Sequence, residues 1–485
     1  MTARRTAFPG VAPSVAVVGG GVSGLAAAHR LRVLLGPSAT ITVLEQRDRT
    51  GGVLHTVDLG GVPFDVGAEA FLVRRPEMAV LLGELGLTGE QVHPTGAKAS
   101  LRANGRTAAL PGATLLGVPT SGARLDGLLS ATGLAAVAAE PALPLQWERG
   151  SDVALGGLLR DRFGDELVDR LADPLLGGVY AGRVDELGLR ATVPALAAAL
   201  DTGAPSLTAA ADAATVPPPG PAARDGRAPA SPAPVFGALS GGYRTLLDAL
   251  AAAARANVRL GTAVRELHRR EAGWRLTLGP TTAPEALDVD AVVLAIPAPA
   301  AARLLAPAAP AAARAAAEIG LASSVVVALA YRGADASTLP PTSGALIATG
   351  EPLSVKAFTH STNKWSHLAP DGLVRLRASL GRFGEAATLQ VDDAELVGRA
   401  RADLAALTGI TAEPVAVHVQ RWGGGLPQYG VGHLDRVRVI GDGLPTGLAV
   451  AGSALHGVGV PACVGTGRAA AERIVAHLTA LAPRA

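Results

Sequence analysis

The feature that most constrains this chain is an apolar strand that runs straight into a glycine turn and then a helix: Ser14-Val-Ala-Val-Val-Gly-Gly-Gly-Val-Ser-Gly-Leu-Ala-Ala-Ala. Gly19, Gly21 and Gly24 match G-x-G-x-x-G, the turn with which a βαβ unit holds a dinucleotide. Gly19 permits the tight turn, Gly21 lets the backbone approach a pyrophosphate, and Gly24 lets the helix pack closely on the sheet. Val22 and Ser23 open the helix, whose free N–H groups and partial positive charge face the phosphates. Ile41-Thr-Val-Leu-Glu45 supplies the second strand. Glu45, with Gln46 beside it, stands about 20 residues past the glycines, where a ribose-binding carboxylate belongs. A tight βα corner alone explains the glycines but not Glu45.

The far end of the chain carries a second signal of the same kind. Gly447-Leu-Ala-Val-Ala-Gly452 reads as a short strand entering another glycine turn. A nicotinamide dehydrogenase usually completes its cofactor site without its last residues, whereas a flavoprotein that holds FAD lengthwise often draws on them. A further glycine-rich turn, Arg49-Thr-Gly51-Gly52, follows the acidic residue directly, and Phe64-Asp-Val-Gly67 comes soon after.

The stretch from Glu45 through Gly52, with Asp65 and Gly67, resembles the FAD-binding start of the flavin amine oxidase and protoporphyrinogen oxidase superfamily. The resemblance implies that Arg49, Gly51, Gly52 and Gly67 serve FAD, and that Val264 in Gly261-Thr-Ala-Val264 meets the adenine through its backbone. Ala451-Gly-Ser-Ala-Leu-His-Gly-Val-Gly-Val-Pro-Ala-Cys463 is similar to the flavin-binding end of protoporphyrinogen and coproporphyrinogen III oxidases. On that basis Gly452, Val458, Gly459 and Val460 join the cofactor site. Related amine oxidases commonly carry an aromatic near Val458, and valine cannot form that wall of an amine cage. Asp173-Pro-Leu-Leu-Gly-Gly-Val-Tyr-Ala-Gly182 is similar to another stretch of the porphyrinogen oxidases, as is Phe358-Thr-His-Ser-Thr-Asn-Lys-Trp-Ser-His367, which has Ser366 in place of the family's proline.

The resemblance implies an FAD-dependent oxidation of coproporphyrinogen III to coproporphyrin III in heme biosynthesis. Three successive hydride transfers to non-covalently bound flavin would be followed by release of hydrogen peroxide from dioxygen. Protoporphyrinogen IX is the alternative substrate. Further alternatives are another flavin amine oxidase or desaturase, and a non-catalytic flavin- or porphyrin-binding protein. The flavin carries the chemistry, so no catalytic side chain is assigned. Cations suited to bind propionates bidentately are expected at Arg75 and Arg74, then at Arg183 and Lys364, with Tyr180 against the macrocycle. Each of these also has an ordinary reading, as a solvated charge or a core tyrosine.

Composition narrows the remaining possibilities. A net charge of +2 on 485 residues gives no reason to expect a polyanion, and the few aromatics exclude a base-stacking surface for nucleic acid. The single cysteine, Cys463, rules out an internal disulfide and a multi-cysteine metal site, and the histidines show no ligand spacing. It reads as an unreactive packed thiol. The apolar run from Ile296 to Ile319 is broken by prolines and charges, so no segment reads as membrane-spanning. Peripheral membrane contact stays open, the expected location is cytoplasmic, and a downstream chelatase is a candidate partner.

The expected architecture is α/β plus α+β. A Rossmann-like FAD domain is assembled from residues 14–75, 235–299 and 441–485. A mainly helical lobe covers 76–201, and a mixed-sheet substrate domain covers 300–440, with strands at 323–331, 373–380 and 415–421. Residues 1–13 read as a disordered tail. The Ala/Pro-rich stretch 202–234 reads as a flexible insertion, because it offers too little apolar area to offset its ordering entropy. Helical spacing appears at 78–85 and at 153–163, with Asp152 at the entry to the second helix.

Overall fold

The structure is a computed structural model and describes residues 12–215 and 234–481. The opening strand, Ser14–Val18, is buried on both faces and lies at the centre of a five-stranded parallel sheet. Thr40–Leu44 and Asn257–Arg259 extend the sheet on one side, and Ala291–Leu294 and Leu448–Val450 on the other. The strands are runs of Val, Ala, Ile and Leu, the composition expected where both faces are covered. The chain leaves the central strand to one side and later returns on the other. This reversal opens a crevice at the carboxyl ends of the strands, where doubly wound sheets bind ligands.

One face of the sheet is covered by the opening helix, Val22–Leu35, and the closing helix, Val460–Leu481, which pack directly together. Their shared core includes Ala27, Ala28 and Leu31 from the first and Ala470, Ala471 and Ile474 from the second. An antiparallel meander, Val264–Arg269, Trp274–Leu278 and Glu285–Val289, connects the outer strand to the fourth.

A seven-stranded mixed sheet forms the second layer. Its order is Ala416–Pro427, Leu321–Arg332, Leu373–Leu380, Val355–Thr359, Gly344–Ile347, Ala99–Ala103 and Arg106–Ala109. The three strands expected within 300–440 are present, two of them longer than read from the sequence. The last two come from 76–201, so that segment is not helical throughout. The reason lies in a local signal, Asn104-Gly105. Both residues have positive φ, 50° and 70°, the primed-turn geometry that closes a two-residue hairpin between Ala103 and Arg106.

Most of the remaining regular structure in that segment is helical, including Leu155–Phe163 and Asp173–Tyr180, beside short strands at Gln91–Val92, Thr114–Leu115 and Val118–Pro119. Asp152 does not cap the first of these helices. It accepts instead from the backbone N–H groups of Arg190 and Gly432.

The segment 202–234 also differs from expectation where it is described. Leu207–Thr215 is a helix, with Leu207, Ala210 and Ala211 buried. A buried carboxylate overrides the unpromising composition. Glu140 accepts from the N–H groups of Leu207 at 2.8 Å and Thr208 at 3.1 Å, and from the Thr208 hydroxyl. It also pairs with Arg162 at 2.7 Å. These bonds satisfy the free donors of the helix start. Burial disfavours the charged carboxyl, but Thr208 and Arg162 outweigh that cost and hold its pKa below the usual range. Residues 216–233, like 1–11 of the expected tail, lie outside the described residues.

Glu140→Ala strands Arg162 in the interior. It should cost about 3–5 kcal/mol, the range for breaking a buried pair, and lower the Tm measured by calorimetry. An unchanged Tm would show that the helix does not need this carboxylate.

Candidate functional site

The glycine turn is built by close backbone contacts. Gly19 has φ +104°, and a Cβ there would lie 2.3 Å from the Ala295 carbonyl oxygen. A Cβ on Gly24 would lie 1.9 Å from the Gly19 carbonyl oxygen, so the opening helix begins in contact with its own turn. Gly21 differs from both. Its φ is −70°, and a Cβ would meet no protein atom closer than 3.8 Å. The space beside Gly21 is open, as a site for a ligand's phosphates requires.

That space belongs to a cleft of about 460 Å³ at the carboxyl ends of the parallel strands. Gly19, Gly21, Glu45, Gln46, Gly52 and Val264 all line it. Glu45 is 7 % exposed, and its two carboxylate oxygens accept from the N–H groups of Gly20 at 2.7 Å and Arg47 at 2.9 Å. The segment carrying Val264 is fastened to the same strand end, because Thr262 N–H donates to the Glu45 carbonyl at 2.8 Å.

Other residues expected at the cofactor act from behind the wall. Gly51 N–H donates to the Gly20 carbonyl at 2.8 Å, joining the two glycine turns. Arg49 does not point a free guanidinium into the cleft. It donates to the carbonyls of Thr50, Leu54 and Gly52 at 2.9–3.1 Å and so stiffens the turn. A Cβ on Gly67 would lie 2.0 Å from the Val53 carbonyl oxygen, so this glycine allows the wall residue Val53 to be backed closely. Val22 is buried at the start of the opening helix, and Ser23 is buried beside it.

Gly452, Val458, Gly459 and Val460 are not in the wall of this cleft. They stand at and just before the start of the closing helix, which meets the opening helix closely. A Cβ on Gly467 would lie 2.2 Å from the Ser23 carbonyl oxygen, and Val22, Val460 and Cys463 share one core cluster. Burial pushes the Cys463 thiol up to about 11, against a smaller opposing effect of Ser23. It is therefore protonated and unreactive at neutral pH.

The residues expected to hold propionates are not brought together. Arg75 pairs with Glu77 at 2.9 Å, Arg183 with Glu385 at 2.8 Å and Lys364 with Glu69 at 2.7 Å. Glu69 also receives Arg377 and the Trp365 ring N–H. Burial disfavours its charge, but Lys364 and Arg377 hold its pKa down to about 2. Arg74 is exposed. Tyr180 is 8 % exposed and packs on Tyr429 with ring centroids 5.6 Å apart.

Two groups of residues at or near the cleft were not expected from the sequence. Trp422, Gly423, Gly424 and Gly425 line the cleft from the large sheet, where an aromatic followed by a glycine run at a strand end was the available signal. Tyr429 and His433 fasten the loop before the closing helix. The Tyr429 hydroxyl donates to the Ser453 carbonyl and accepts from Gly457 N–H at 2.9 Å. His433 stacks on Tyr429 at 3.9 Å, and its Nε2–H donates to the Leu455 carbonyl. Burial holds this imidazole down to about 4, so it is neutral at physiological pH. Nothing in the local sequence connects these two rings to residues 453–457.

Among the described residues there is no cluster able to hold a metal and no helix long and apolar enough to cross a membrane. Comparison with known proteins places this arrangement in a family. The model of the flavin-containing amine oxidoreductases matches residues 22–475. A coproporphyrinogen III oxidase of Mycobacterium tuberculosis is 45% identical over 474 residues, 97% of this chain and 99% of the relative. One from Bacillus subtilis is 29% identical over 96% of this chain and 98% of its own. A crystal structure of a putative protoporphyrinogen oxidase from Exiguobacterium superposes with a TM-score of 0.81 at 30% identity, covering 96% of this chain and 99% of that one. With its glycine-lined cleft at the sheet's switch point and a match along nearly its whole length, the chain belongs to the flavin-containing amine oxidoreductase family and is an FAD-dependent oxidoreductase.

Proposed function

We propose that this protein is a cytoplasmic coproporphyrinogen III oxidase that binds FAD non-covalently, uses dioxygen as terminal acceptor and passes its product to a chelatase. The observation that carries the cofactor reading is the open space at Gly21, at the meeting point of the glycine turn, the Glu45 strand end and the Gly51-Gly52 turn. The substrate reading is supported by the full-length likeness to coproporphyrinogen III oxidases. Protoporphyrinogen IX is the second reading, favoured by the name of the Exiguobacterium neighbour.

FAD, when bound, supplies the two-electron acceptor for hydride from the macrocycle. The chain's residues position and shield it. Backbone N–H groups at the start of the opening helix would hold the phosphates, since the helix dipole there favours negative charge. Glu45 anchors the turn through Gly20 N–H and stands where the ribose hydroxyls of a dinucleotide lie. Arg49 holds the second turn rigid through three carbonyls. Tyr429 and His433 hold the tail loop against the helical layer, where Val458 packs. No side chain needs to take a proton in this scheme, because pyrrole N–H protons can leave to solvent as the ring aromatises. A buried, protonated Cys463 fits non-covalent attachment.

Three outcomes follow. Purified protein should be yellow and should convert coproporphyrinogen III in air to a fluorescent porphyrin with peroxide, at a higher kcat/KM than protoporphyrinogen IX. The reverse preference would replace the substrate, and bound flavin without turnover of either would leave a binding protein. Gly21→Val, whose Cβ would meet no protein atom closer than 3.8 Å on a backbone open to any residue, should match the Tm of flavin-free wild type yet fail to bind FAD. Retained flavin would refute the assignment. Tyr429→Phe keeps the ring stack but frees Gly457 N–H. FAD affinity, read by fluorescence titration, should fall about fivefold, or about 1 kcal/mol, the usual net worth of one hydrogen bond. No change would show that this hydroxyl does not set the loop.

A further inference from the structure

A second cavity, of about 260 Å³, is walled in part by Arg183, Glu351, Lys356, Arg382 and Glu385. Four of its five charges are matched within the protein. Arg183 pairs with Glu385 at 2.8 Å, and Arg382 pairs with Asp173 at 2.9 Å. Glu351 is taken by Arg102 at 3.2 Å and by Gly105 N–H at 2.9 Å.

Lys356 is the exception. Among the described residues its ammonium has one partner, the Gly381 carbonyl at 2.6 Å, and no carboxylate within salt-bridge distance. An ammonium has three protons to donate, so two lack a protein acceptor. Burial pushes this amine down to about 8, with Arg382 adding to the effect and Glu385 opposing it. A partly buried cation beside a guanidinium, in a cavity with room for a ligand, lacks the counter-ion that usually accompanies it.

The cavity is tied to the tail loop through a short structural chain. Phe383 N–H donates to the Ala181 carbonyl at 2.7 Å, at the end of the Asp173–Tyr180 helix. The Arg382 guanidinium lies 3.1 Å from where a Cβ on Gly177 would stand, on the same helix. Tyr180, its last residue, packs on Tyr429, which holds Gly457 next to Val458.

We propose that the cavity is a carboxylate subsite in which Lys356, flanked by Arg183 and Arg382, receives a propionate arm of the tetrapyrrole substrate. This rests on the porphyrinogen reading and extends it to selectivity. A substrate with four propionates can fill a cation site that one with two leaves empty, since an unpaired buried charge penalises the poorer ligand.

The test compares Lys356→Met and Lys356→Arg with wild type at matched flavin content and Tm. In Lys356→Met, KM for coproporphyrinogen III should rise about tenfold, as expected for one lost charge-assisted hydrogen bond. Its kcat should change less than about twofold, and KM for protoporphyrinogen IX should move much less. Lys356→Arg should restore most of the preference. In wild type, coproporphyrin III should bind tighter than its tetramethyl ester, and Lys356→Met should narrow that gap. Equal KM shifts for both porphyrinogens, or none, would overturn the subsite while leaving the oxidase reading intact. Succinate that binds wild type but not Lys356→Met, with porphyrinogen KM unchanged, would assign the cavity to a free carboxylate and overturn the proposal. Turnover of neither porphyrinogen by wild type would remove both readings.

Discussion

Everything at the cofactor cleft depends on backbone meeting backbone with no side chain between. Gly24 touches the Gly19 carbonyl, Gly19 touches the Ala295 carbonyl, and Gly467 touches the Ser23 carbonyl. Each contact is shorter than a Cβ permits, so a methyl group at any of them would push two elements apart. The first contact sets where the opening helix begins relative to the central strand. The last sets how near the closing helix lies to it. Together they press helices from opposite ends of the chain against one another, behind a crevice whose wall the tail residues do not enter. Gly21, by contrast, has open space beside it, which in the proposed function receives the cofactor's phosphates.

The charges follow a second rule. The chain is nearly neutral, and in the structure most of its interior cations are already spoken for. Lys364 and Arg377 converge on Glu69, Arg162 on Glu140, and Arg382 on Asp173. The partners stand 22 to 308 residues apart in sequence and come from different segments of the chain. Fixing two charges in a low-dielectric setting demands that each be met, and carboxylates from distant segments meet them. The cations expected to await a substrate are therefore paired or exposed, while Lys356, on the strand Val355–Thr359, has no carboxylate partner among the described residues.

Legibility in the sequence followed the range of the interaction. The strand, turn and helix at Ser14–Leu35 were readable because every cause lies within a few residues: the apolar run, the glycine spacing and the carboxylate that follows. Asn104-Gly105 was equally local, and its hairpin could have been read from the same kind of signal. The helix at Leu207–Thr215 could not. Its start is satisfied by Glu140, more than sixty residues away, and composition carries no trace of that bond. The same holds for Tyr429 and His433 gripping residues 453–457, and for Trp422 reaching the cleft from the other sheet.

By itself the sequence determined the parallel nucleotide sheet, the turn that opens toward a dinucleotide and the kinship with flavin oxidoreductases. These rest on backbone geometry that only glycine at set spacings permits, and such spacing is visible in one dimension. The tertiary structure decided which charges are paired, which remain available and which walls close the cleft. Those outcomes depend on how segments tens to hundreds of residues apart meet, and burial, which makes an ion pair or a hydrogen bond matter, exists only once the chain has folded.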